Sequence, residues 1–157
     1  MTRARSARLA AAVVIAFILQ AALGGDLAVA GIRPNLALTT LSVACIFVGP
    51  VTGALLGFLC GLLEASFAAL FVGSYLVTRS VAGWAVGALE ERVFRDNLVF
   101  AAITTFLVSL LAEVAFFLFA PQPDARAFAL ATVGAAAYNG MLAVPVYLLV
   151  RRSAGVR

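Results

Sequence analysis

Apolar residues run along this chain in long blocks, and charged residues stand almost only in the gaps between them. Arg3, Arg5 and Arg8 precede a run over residues 9–23, which stops at Gly24-Gly25-Asp26. From Pro34 to Leu63 no residue is charged, a stretch longer than the roughly 20 residues that one membrane crossing needs. Gly49-Pro50 stands in its middle, where proline removes a backbone donor and glycine loosens the turn. The stretch therefore predicts two helices, residues 34–48 and 51–71, joined by a tight reversal and both short for full spans. Gly73-Ser74 opens the least hydrophobic run, residues 75–89, with Thr78, Arg79, Ser80 and Trp84 inside it. The charged stretch Glu90 to Asn97 separates it from a run over 98–119, which Pro121-Gln122-Pro123-Asp124 ends. A last run, 127–150, closes on Arg151-Arg152.

These blocks predict an all-α membrane protein, a compact bundle of about six short transmembrane helices in one integral domain over residues 1–157. Composition points the same way. Hydrophobic residues make up 64% of the chain and charged residues 11%, too few to cover a water-facing surface. Lipid as outer solvent removes that conflict, because apolar side chains then face outward without cost. The net charge of +4 raises nucleic acid as a partner, but the arginines sit in ones and twos at the ends of apolar runs. That is the pattern of a membrane surface, so no nucleic acid is expected. With six spans, eight of the eleven arginines fall on the side of the two termini, which places both termini in the cytoplasm of a multi-pass inner-membrane protein. The first run and Ala28-Val29-Ala30 also have the outline of a signal peptide. Gln20 and Asp26 make a poor approach to such a cleavage site, so a retained helix is expected.

Chemistry-bearing residues are sparse. Cys45 and Cys60 lie in separate apolar runs and read as free buried thiols, and the chain has no histidine. Gly49, Gly53, Gly57 and Gly61 follow one another at i+4, and Glu64 shares their helical face. Small residues at this spacing let helix backbones approach closely, either against a neighbour in the same chain or against a partner. A carboxylate such as Glu64 at membrane depth needs pairing, protonation or water, and Arg79 on the next helix is a candidate counter-ion. Thr105, Ser109 and Glu113 form a second polar stripe, read as an interhelical hydrogen-bond seam or the lining of a solute cavity. Asn139-Gly140 and Pro145 interrupt the last helix and predict a bend, and Asn139 can bond across helices. Arg92, Arg95 and Asp96 belong to the cytoplasmic loop. Glu64 and Glu113 as a catalytic carboxylate pair would need a nucleophile, a metal ligand set or a phosphate loop beside them. None is legible, so neither an enzyme nor a cofactor or metal site is expected.

Four segments carry a resemblance to the rod shape-determining MreD family. Arg33-Pro34-Asn35-Leu36 resembles that family's Pro-Asp-Leu opening of the second helix, and the segment Gly53 to Glu64 resembles its glycine-spaced helix ending in an acid. Phe94-Arg95-Asp96-Asn97 resembles the loop before its fifth helix, and Tyr138-Asn139-Gly140 through Arg151-Arg152 its closing helix. Asn35 stands where the family usually has aspartate, and Glu64 where aspartate is commoner. The resemblance implies a non-enzymatic scaffold of the cell-elongation complex that helps control peptidoglycan synthesis and cell shape. Its implied partners are membrane lipid and an MreC-like single-span protein. Through the complex it would also reach a RodA-like polymerase, a class B penicillin-binding protein and an MreB-like filament. It also implies a fold similar to the substrate-binding subunits of energy-coupling-factor transporters. That likeness sets up the alternative function, vitamin capture for such a transporter.

Overall fold

A computed structural model describes residues 3–23, 25–68, 71–90, 97–121 and 123–154, and among them the chain is helical with no β-strand. Six helices follow in order: α1 (Arg3–Leu23), α2 (Leu36–Cys45), α3 (Pro50–Ala68), α4 (Val72–Glu90), α5 (Leu98–Phe119) and α6 (Ala125–Ala154). The helix order agrees with the blocks of the sequence, with ends displaced by a few residues. The expected cytoplasmic-loop residues Arg92, Arg95 and Asp96 lie outside the described residues.

Helices α1, α3, α5 and α6 are each long and apolar enough to cross a membrane. Their outer faces keep large apolar side chains exposed, among them Ile15, Leu55, Leu111 and Leu148. In water such a surface would be heavily penalised, whereas lipid accepts it. Helix α6 is helical without a break from Ala125 to Ala154, so Pro145 lies within the helix rather than ending it.

Helix α2 departs most from the expected span. It has ten residues, a rise of about 15 Å against a hydrocarbon core of about 30 Å. All residues from Ala37 to Val48 are buried, because α2 packs against each of the other five helices. Its hydroxyls are satisfied locally: Thr39 Oγ1 donates to the Asn35 carbonyl (2.8 Å) and Ser42 Oγ to that of Leu38 (2.9 Å). The helix then tightens, with the N–H groups of Ile46, Phe47 and Val48 each bonding three residues back. Gly49 follows, and Pro50 opens α3 at a position where a helix needs no N–H.

Helices α3 and α4 form the closest pair. A Cβ on Gly61 would lie 2.6 Å from the Tyr75 carbonyl oxygen, and one on Gly57 would lie 2.8 Å from Ser80 Cα. One on Gly53 would lie 3.0 Å from the carbonyl carbon of Gly83, and one on Gly87 would lie 2.8 Å from the Gly49 oxygen. Each step of four along α3 thus meets a step of four back along α4, an antiparallel register in which backbone touches backbone. The glycine row is closed by the chain's own α4 and is not a free surface. Gly83 and Gly87 are the complementary half of the seam.

Candidate functional site

The register of α3 and α4 carries two charges into contact. Glu64 lies three residues beyond Gly61, and Arg79 lies opposite Gly57, so both project from the same seam. Arg79 Nε donates to Glu64 Oε2 at 2.6 Å, and Arg79 Nη2 donates to Glu113 Oε1 of α5 at 2.7 Å. Arg79 is 1% exposed, yet each of these bonds is charge-assisted and short. The Tyr75 ring stands one turn away, its centroid 5.7 Å from the guanidinium carbon, adding a cation–π contact. Burying a guanidinium is costly unless it is paired, and here two carboxylates from two other helices pair it.

Asn35 ties this triad to the rest of the bundle. As the N-cap of α2 it accepts from the Leu38 N–H through its side-chain oxygen at 2.8 Å, the usual task of asparagine at that position. Its side-chain nitrogen donates to Glu64 Oε1 at 2.5 Å, and its backbone N–H donates to Asn139 Oδ1 at 2.8 Å. Asn139 in turn donates from Nδ2 to Ser109 Oγ at 3.1 Å. Gln20 of α1 accepts from the Ala37 N–H at 3.0 Å, occupying a second open donor of α2. The positive end of the α2 dipole therefore lies beside Glu64 and adds to the stabilisation of its charge.

Asn35 explains one departure noted in the sequence. An asparagine offers an acceptor to Leu38 and a donor to Glu64 at once, whereas an ionised aspartate has no donor. Asn35, Glu64, Arg79, Ser109, Glu113 and Asn139 thus form one connected network, drawn from the turn before α2 and from α3 to α6. Gly53, Gly57 and Gly61 belong to the seam that positions it. Gln20, the one polar residue in the apolar run 9–23, carries a signal used above only against a cleavage site, and Thr105 is buried but its hydroxyl has no partner among the described residues.

Above the network lies a cavity of about 590 Å³. Phe17 and Gln20 of α1 line it together with Arg33 and Asn35, the ends of α3 and α4, Ser109 and Glu113 of α5, and α6 from Phe128 to Asn139. No residue of α2 itself lines it. The physical reason is the shortness of α2: it fills one half of the bundle's length, and its capped N-terminus is the floor of the space left in the other half. Asn139 stands fourteen residues into α6, roughly 21 Å from that helix's start, so the floor is deep. Irregular backbone at such depth is tolerated where it is enclosed by protein or lines a cavity, and the 33–35 segment lines this one.

Among the described residues no group of three or more histidine, cysteine or acidic side chains has a metal-binding arrangement. The two cysteines are free and buried. The site can hold and orient polar groups. No protein-family model, no curated protein and no solved structure matches this chain.

Proposed function

We propose that the chain is a non-enzymatic membrane scaffold of the MreD type, acting in the bacterial cell-elongation complex through an MreC-like single-span partner. In this reading it lies in the inner membrane with both termini in the cytoplasm, and the cavity opens on the opposite side. RodA-like polymerase, class B penicillin-binding protein and MreB-like filament are reached through the complex. One observation carries the reading. Three of the four segments that resemble the family, distant in sequence, meet at a single residue: Asn35 bonds Glu64 at the end of the glycine-spaced helix and Asn139 of the closing helix. A motif set assembled around one knot is a set with a common structural purpose, and that purpose is to hold helix faces in register rather than to perform a reaction.

A second reading, a substrate-binding subunit of an energy-coupling-factor type vitamin transporter, draws on the cavity and its convergent polar groups. In the scaffold reading a partner's chain would cover or enter that space, and in the transporter reading a solute would. Co-purification separates them. The full chain expressed with an MreC-like protein is expected to retain it through detergent extraction. Loss of that partner, together with a small molecule held tightly by the purified chain, would reverse the assignment.

A further inference from the structure

The cavity's polar groups are not all used by the network around them. Glu64 is engaged at both oxygens, one on Asn35 and the other on Arg79. Arg79 is not fully engaged: its Nη1 is buried with no hydrogen-bond partner among the described residues, and the residue lines the cavity. Nη1 has essentially no accessible surface, so the guanidinium meets the cavity's contents only through the carboxylates it binds. Glu113 spends one oxygen on Arg79 and shows no other hydrogen bond among the described residues, and its side chain is 26% exposed where that of Glu64 is 5%.

Charge decides what fits. Two carboxylates against one guanidinium leave the triad one unit negative, so a simple anion approaching Arg79 meets repulsion from both acids. A simple cation would pair with Glu113 but leave Arg33 without a counter-charge. Arg33, exposed and part of the cavity lining, brings a second guanidinium. Phe17, Phe67 and Phe128 supply apolar wall between these poles. We propose that the cavity binds a zwitterionic group of the aminoethyl phosphate kind, its ammonium held at Glu113 and its oxyanion at Arg33, both of which line the cavity. A phosphate pairs bidentately with a guanidinium such as that of Arg33. The same chemistry is offered by a phosphatidylethanolamine headgroup and by free phosphoethanolamine. In the scaffold reading a partner's chain entering the cavity would compete with this ligand, and in the transporter reading the inference names the ligand class.

The test uses the full chain in phosphatidylglycerol nanodiscs, with thermal stability and native mass spectrometry as readouts. Phosphoethanolamine is expected to stabilise the wild type at concentrations at least tenfold below those of glycerol phosphate, which lacks the amine. Glu113→Gln should abolish that preference. Ala135→Leu, which sets a branched side chain into the cavity wall, should abolish both responses and decides the matter if Glu113→Gln does not fold. Phosphatidylethanolamine retained by the wild type and lost in Ala135→Leu identifies the lipid as the source, and binding of the free molecule alone identifies a soluble one. Equal responses to the two phosphates, no response to either phosphoethanolamine or its lipid, or binding that survives Ala135→Leu would each overturn the proposal.

Discussion

Gly57→Ala adds one methyl group where α3 and α4 already touch. Its Cβ would lie 2.7 Å from the carbonyl carbon of Arg79 and 2.8 Å from Ser80 Cα, against 3.4–4 Å for ordinary contact. Both neighbours are backbone, so no side chain can swing aside and the helices must part by roughly 1 Å, an overpacking cost of about 1–3 kcal/mol. Arg79 moves with its backbone. A displacement of that size stretches its 2.6 and 2.7 Å bonds beyond useful hydrogen-bond range, and breaking a buried ion pair adds up to about 3–5 kcal/mol. Alanine's better helix propensity opposes this by at most about 1 kcal/mol. A net loss of about 2–5 kcal/mol is expected, more than for Gly53→Ala, which meets Gly83 away from the triad. Gly73→Ala is the control, since nothing lies within 4 Å of its Cβ. Unfolding in mixed micelles of rising dodecyl sulfate content measures these differences. Trp84, the chain's single tryptophan and a neighbour of Gly83, serves as fluorescent reporter. Gly57→Ala melting within about 0.5 kcal/mol of Gly73→Ala would refute the backbone contact of the seam.

Three further outcomes are expected from the same assay. Asn35→Asp restores the residue usual in the resembling family but sets a carboxylate against Glu64 where an amide now donates at 2.5 Å. It should destabilise by setting two like charges against each other, and an unchanged melting profile would count against the donor role of Asn35. Arg79→Met leaves Glu64 and Glu113 without their shared cation and should cost about 3–5 kcal/mol. Glu113→Gln, at the exposed end of the triad and leaving a neutral Arg79–Glu64 pair, should cost least, and the reverse order would show that the triad is not what stabilises the seam. Asn139→Ala removes the acceptor of the Asn35 N–H and the donor to Ser109, for about 1–3 kcal/mol. Ser109→Ala should cost less than that, because the Asn35 N–H keeps its partner.

Much of this molecule follows from local pattern. Charges at the gaps, Pro50 after Gly49 and the length of each apolar block determine six helices in this order, because a helix in lipid must satisfy its own backbone and needs only an apolar surface. The glycine spacing on α3 and the isolated acids Glu64 and Glu113 mark a crowded, polar interior for the same local reason. What local pattern does not contain is depth and register. The extent of α2 was set by its enclosure among five neighbours, and a fully apolar run reads the same whether lipid or protein surrounds it. Gly83 and Gly87 acquired meaning only when α4 lay antiparallel to α3 and brought them opposite Gly53 and Gly49. The joining of Asn35, Glu64, Arg79, Glu113 and Asn139 likewise depends on how far each helix slides past the next, a quantity fixed by packing between elements and not by any stretch of sequence within one.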